Sequence, residues 1–225
     1  MIPYTLIRSN RKTLAIHITK DAAVEVRAPL KLAKAEIDKF VQSKEEWITA
    51  HLTAQAARAA EKSGFSLDYG DAVTVIGKPY TIAAREGSRV GYANEAFYMP
   101  AGLDSKHIKY ACVQIYKLAA KNELTRRVAD YAKRMNVKPT DVKINSATTR
   151  WGSCSGRNSI NFSWRLIMAE DTVIDYVVVH ELAHIKEHNH SPKFWAVVAG
   201  VLPDYKARQK KLKELQAKLA RENWE

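Results

Sequence analysis

The sequence predicts an α+β fold, and three observations lead there. Short β-branched runs separated by polar turns open the chain, stretches of helical periodicity alternate with a second β block, and three helical segments close it. At 225 residues the chain suffices for one large domain, or a domain with an appendage, whose core needs no disulfides. Its 46% hydrophobic and 27% charged residues exclude a disordered, fibrous or collagen-like chain.

Residues 4–7, 13–18 and 24–28 read as strands, with turns at Ser9-Asn10-Arg11-Lys12 and Thr19-Lys20-Asp21. In the middle run Leu14, Ile16 and Ile18 alternate with Ala15 and His17, as in a half-buried strand. Pro29 ends this block, and a helix is predicted over residues 33–62. Ile37, Phe40, Val41, Trp47, Ile48 and Leu52 form its apolar face, which Lys44 interrupts. The alanine-rich residues 54–62 suit a solvated helix that crosses the surface or links two subregions, and Gly64 is its stop.

A second β block is expected at residues 72–76, 80–84, 89–92 and 96–99, with turns at Gly77-Lys-Pro and Glu86-Gly-Ser. Residues 104–134 follow as a long helix with Ile108, Cys112, Ile115, Tyr116, Ala119 and Leu124 inward, and Pro139 closes its exit. Strands at 142–145 and 159–163 flank the polar loop 149–158. Helices at 173–187, 192–201 and 205–223 finish the chain. The simplest partition is a β-rich N-terminal portion with one long helix, residues 1–100, and a metal-binding catalytic portion, residues 101–225, or one continuous domain.

No stretch reaches the roughly 18–20 apolar residues of a membrane helix. The N-terminus lacks the basic, apolar and small-residue regions of a signal peptide. Two cysteines, Cys112 and Cys154, are expected as reduced thiols in a cytoplasmic protein. Lys and Arg number 36 against 24 Asp and Glu, a net charge of +12 that attracts nucleic acid or nucleotides.

The chemistry concentrates at His180-Glu-Leu-Ala-His184. Thr172 and Asp175 have the spacing of a capping box, which would start the helix there. Val178, Leu182 and Ile185 should pack inward, while His180 and His184 stand one turn apart, so that both imidazoles reach one cation. Glu181 between them completes the spacing of a helical zinc site with a general-base glutamate. A catalytic zinc ion needs a third protein ligand and an open position. His190, six residues beyond His184, has the spacing at which a chain turning back supplies that ligand. Glu187 stands where that pattern has glycine, so Asn189, tolerant of a left-handed conformation, is the candidate turn residue. Ser191-Pro192 reads as the cap and first turn of the next helix. His188 is the rival ligand, but three histidines along one straight helix span about 12 Å, too far for one ion.

At these residues the chain resembles the YgjP-like metallopeptidase family, a zincin group similar to SprT-like and WLM proteases. The resemblance covers nearly the whole chain. It rests on Val24-Glu-Val-Arg-Ala-Pro29, Thr149-Arg-Trp-Gly-Ser-Cys154, Ile160-Asn-Phe-Ser-Trp164, and His180-Glu-Leu-Ala-His184 through His190-Ser-Pro-Lys-Phe-Trp195. It implies a zincin-like core with zinc on His180, His184 and His190, and Glu181 assisting attack of a zinc-bound water on a peptide bond. It also implies that the strand near 160–164 is the edge that receives an extended substrate. Ni2+, Co2+ or Mn2+ can replace zinc on such ligands.

Arg150, His188 and Tyr205 are candidate substrate or oxyanion contacts. Trp151 reads as a packing anchor, Gly152 as a turn residue, and Cys154 as a small buried hydrophobe or a thiolate approaching the zinc. The last helix aligns Ala207, Leu212, Leu215 and Leu219 opposite a basic face, which either stays solvated or contacts a polyanion. Two further functions share these features: a metal-dependent hydrolase of nucleotide pyrophosphate bonds, and a nucleic-acid-associated protein with structural zinc.

Overall fold

The computed structural model of the protein describes residues 2–19 and 21–224. Lys20, in the middle of an expected turn, lies outside them, as do Met1 and Glu225. Among the described residues the fold is α+β, with six α-helices and three small sheets. The chain forms two compact units. One ends at Phe65 and takes in Ala220–Asn223; the other spans Ser66–Leu219 and Trp224. The division falls at the exit of a helix, so the second β block shares a unit with the His-Glu-x-x-His segment, and the expected boundary after residue 100 lies inside that unit.

In the first unit, β1 (Thr5–Ser9) and β2 (Ala15–Ile18) flank β3 (Val24–Pro29), β1 parallel and β2 antiparallel to it. The alternation of β3 turns Val24, Val26 and Ala28 to one face. They bury there with Ile37 and Val41 of α1 (Lys34–Ser43) and Ile48 of α2 (Glu45–Gly64). The expected single helix over 33–62 is therefore two. The break falls at Lys44 (φ −112, ψ 12), the residue that would have set a charge on the apolar stripe. Breaking the helix there leaves Lys44 in solvent. The alanine-rich half of α2 is exposed and ends at Gly64, as expected.

The second unit begins with a four-stranded sheet in the order β4 (Ala72–Val75), β5 (Lys78–Arg85), β7 (Ala96–Pro100), β6 (Gly91–Ala93). Ile76 and Gly77 make the first hairpin turn with φ of 51 and 73, so Lys78 and Pro79 belong to the strand and not to the turn. Helix α3 (Ser105–Met135) starts at Asp104, whose carboxylate accepts from the His107 amide at 2.9 Å, and stops at left-handed Asn136. All six residues expected inward on α3 are buried. Tyr116 stacks on Trp164, ring centroids 5.4 Å apart, and Trp224 packs edge-on against both.

The third sheet positions the chemistry. Its order is β8 (Asp141–Asn145), β10 (Ser159–Ser163), β9 (Gly152–Cys154), with β8 parallel and β9 antiparallel to β10. The loop 149–158 thus contains a strand that the sequence reading did not place. It corrects the expected edge: β10 is paired on both sides, and Trp164 belongs to a 3-10 turn (Trp164–Met168), so the edges are β8 and β9.

Helix α4 (Asp171–Ala183) is buried nearly all round. It starts after Glu170 without a side-chain cap, so the Thr172–Asp175 capping box does not form. Asp175 serves Arg127 of α3 instead. That guanidinium, 5% exposed, donates to the Asp171 carbonyl (2.9 Å), to Asp175 Oδ1 (2.7 Å), to Glu123 Oε1 (2.7 Å) and to the Asp171 carboxylate. Two more helices follow, α5 (Pro192–Val201) and α6 (Tyr205–Leu219). On α6 the half-buried line is Arg208, Leu212, Leu215 and Leu219, while Ala207 is exposed, contrary to the expected apolar face. Arg208 takes that place because its guanidinium bonds Asp204 and the Thr172 carbonyl.

Replacing Arg127 by Met should cost about 3 kcal/mol at neutral pH, since it strips a buried ion cluster of its shared partner. Arg126 above all, and Arg127 after it, hold the Glu123 carboxyl below its usual value of 4.5 against its burial. A depressed carboxyl adds stability above its unfolded pKa and loses it as pH falls, so the gap between wild type and variant should narrow below pH 4.5. Urea unfolding across pH 3–7 checks this; equal midpoints at pH 7 would contradict it.

Candidate metal centre

The site is built at the end of α4. His180 lies in the last helical turn, and His184 caps the helix with α-region backbone angles (φ −64, ψ −18). The helix therefore stops four residues before the expected Glu187. The amides of Ile185, Lys186 and Glu187 donate back to Leu182 and Ala183 carbonyls at 3.0–3.1 Å, which curls the chain off the helix axis. Asn189 is not among the residues with positive φ, so it does not make the turn in the expected way. The Ser191 amide donates to the Asn189 carbonyl at 2.7 Å. Ser191 then caps α5 through its hydroxyl, which accepts from the Phe194 amide at 3.4 Å, with Pro192 in the first turn.

This reversal returns His190 to α4. One ring nitrogen from each of His180, His184 and His190 lies within 4.8 Å of the others. Nε2 of His190 is 3.0 Å from Nε2 of His180. Two ligands at about 2.0–2.1 Å in a tetrahedral shell would sit about 3.3 Å apart, close to that spacing. Burial above all, then the neighbouring imidazoles, pushes the His180 pKa down to about 3, and His184 is lowered mainly by burial. Both rings are thus neutral at pH 7, the form that ligates a metal. Nδ1 of His184 lies 3.3 Å from the Glu187 carbonyl; donating to it leaves Nε2 free for a cation. Nε2 of His180 faces another imidazole nitrogen, a contact that a shared cation resolves. The donor set therefore fits a divalent metal.

Phe194 forms the floor of the cluster. It is fully buried, with its ring centroid 4.9, 4.6 and 4.7 Å from those of His180, His184 and His190. Trp195 stacks on both His190 and Tyr205, with centroids at 5.7 and 5.2 Å. Sequence reasoning assigned neither ring a part in the site: neighbours on a helix point about 100° apart, so spacing alone does not bring both to one place.

Glu181 is 6% exposed. Burial pushes its carboxyl up to about 8, and the positive charge of Arg150 pulls against that shift. Strand β9 lies directly against it: a Cβ on Gly152 would sit 2.6 Å from Glu181 Oε1 and 2.7 Å from its Cγ. Gly152 is thus required by close approach and is not the expected turn residue. Tyr176, one turn before His180, was also missed. It packs against His180 at 5.8 Å, and burial first, then Tyr205 and Glu181, raises its hydroxyl to about 12.

Of the other expected site residues, Arg150 is exposed within electrostatic reach of Glu181, and Tyr205 lies behind Trp195. His188 is exposed on the loop and outside the three-histidine group. Both cysteines are free thiols. Cys154 lies outside the histidine group, its Sγ 3.6 Å from the Ser155 carbonyl, with its pKa raised by burial and then by Glu181.

The family model described as YgjP-like, metallopeptidase domain, matches residues 12–215. No curated protein matches the chain. Among solved structures, the metallopeptidase zymogen abylysin of Pyrococcus abyssi is similar at 21% identity and a TM-score of 0.38, over 44% of this chain and 98% of that one. No helix among the described residues is long and apolar enough to cross a membrane.

Elemental analysis of wild type should find about one metal ion per chain. His190→Ala should lose it and His188→Ala should keep it; the reverse pattern would move the third ligand to His188.

Proposed function

Because the chain belongs to the YgjP-like metallopeptidase family, we propose that it is a zinc-dependent peptidase whose metal sits on His180, His184 and His190. The observation that carries this reading is the meeting of three imidazoles beside a buried carboxyl, at the flank of an edge strand. A divalent cation there supplies Lewis acidity, making water acidic and polarising a carbonyl. Three nitrogen donors suit zinc, and Ni2+, Co2+ or Mn2+ can substitute for it.

The chain's own residues do the rest. Glu181 receives a proton from water at a carboxylate oxygen and passes it to the departing amine nitrogen. Its burial keeps bulk water from competing for that proton, and its raised pKa suits both transfers near neutral pH. An extended peptide adds along the outer side of β9 through main-chain hydrogen bonds, which places its carbonyl across Glu181. Arg150 is the favoured oxyanion contact because its charge is felt at Glu181; Tyr205 and His188 serve as outer substrate contacts. We place the protein in the cytoplasm on its reduced thiols.

Glu181→Gln should keep the metal and lower hydrolysis of a quenched-fluorescent peptide library by about 10²- to 10⁴-fold. Undiminished hydrolysis in that variant would sink the mechanism. Metal-dependent phosphate release from nucleoside triphosphates, with no peptide cleavage, would sink the substrate class. Gly152→Ala should likewise retain metal yet lose more than tenfold in kcat, because the new methyl group displaces Glu181. Equal kcat would show that the carboxyl does not need that contact.

A further inference from the structure

The first unit holds a cleft of about 490 Å³ between β2 and α2. Among the described residues strand β2 is an edge, paired only with β3. The Thr19 amide donates to the Ala23 carbonyl at 2.9 Å, and this fixes the phase of the ladder. Thr19/Ala23, His17/Glu25 and Ala15/Arg27 are then the hydrogen-bonded pairs. The N–H and C=O groups of Ile16 and Ile18 consequently point away from β3, to the open side where α2 runs.

Helix α2 presents Trp47, Ala50, His51, Ala54 and Arg58 to that side, at intervals of three and four residues. Trp47 is 43% exposed, its ring 4.1 Å from that of His51, whose Nδ1 lies 2.8 Å from the Trp47 carbonyl. Ala50 and Ala54 keep the lane shallow. Gln55 Nε2 donates to the Thr19 carbonyl at 2.7 Å and ties the helix to the end of the strand. No carboxylate is among the lining residues, and Arg58 sets a fixed positive charge at the rim beside the hydrogen-bonding imidazoles of His17 and His51. The carboxylate opposite His17, Glu25, is paired with Arg27 at 3.2 Å.

We propose that this cleft binds an extended acidic peptide segment. The segment adds to β2 as a fourth strand through Ile16 and Ile18, and lays alternate apolar side chains against Trp47, Ala50 and Ala54. Strand groups turned away from β3 call for another main chain, the small and aromatic lane for apolar side chains in alternation, and the Arg58 charge with the neighbouring imidazoles for carboxylates. From Trp47 to Arg58 the helix rises about 16 Å, the length of about five extended residues. The cleft lies outside the metal centre and this inference stands apart from the peptidase reading.

The test is fluorescence anisotropy at low salt with the full chain carrying Glu181→Gln, so that hydrolysis cannot deplete the probe. The probe is fluorescein-labelled Glu-Val-Glu-Val-Glu. It should bind saturably, and its Lys-Val-Lys-Val-Lys counterpart at least tenfold more weakly. N-methylation of alternate amides should weaken binding at least tenfold in one phase and less than threefold in the other, the signature of strand addition. Trp47→Ala and Arg58→Glu should each cost at least tenfold without moving the urea midpoint. Absence of saturable binding, equal effects of both methylation phases, or indifference to Trp47→Ala would overturn the proposal. So would a concentration-dependent dimer abolished by Trp47→Ala in sedimentation, which would assign the cleft to a second copy of the chain.

Discussion

Helix α4 is buried along almost its whole length, yet it must present polar chemistry, and the second unit is arranged around that constraint. Polar groups inside a core are costly unless they are paired, so both ends of the rod are specialised. At its start, Arg127 bonds the Asp171 carbonyl and the Asp171 and Asp175 carboxylates, fixing the helix to α3. At its end, the helix stops at His184, and the chain curls so that His190 returns over His180. Between these ends Val177, Val178, Val179 and Leu182 are buried and hold the rod in place. Histidines on such a rod are held in their neutral form by the same burial that anchors it.

Close packing also governs the carboxyl. Glu181 is on a face of α4 that would be core in an ordinary helix, and the nearest backbone is Gly152 of β9. The absent side chain at Gly152 is the space that Glu181 fills. One glycine therefore couples the edge strand to the Glu181 carboxyl. Phe194 does the corresponding work beneath the imidazoles, since its ring touches all three and leaves little room for water on that side.

Much of this was legible in the sequence. The strands of the first block, the buried face of α3, and the convergence of His180 and His184 follow from periods of 2 and 3.6. The cap at Ser191-Pro192 follows from backbone chemistry that needs no tertiary context. What misled was local signal competing with distant partners. Thr172 and Asp175 have the spacing of a capping box, but Asp175 is drawn to Arg127, 48 residues earlier, where a buried guanidinium gains more from a carboxylate than an exposed amide does. The strand at Gly152–Cys154 was hidden because three small residues carry no periodicity, and only pairing with β10 makes them a strand.

By itself, the sequence determined the donor types, their order and the reversal between His184 and His190, because helix spacing and a proline-started helix are local consequences of residue identity. Tertiary structure alone decided which strand is an edge, why position 152 has no side chain, and which aromatic ring lies under the histidines. Those are contacts between segments far apart in the chain, set by burial and close packing, and a linear pattern carries no record of them.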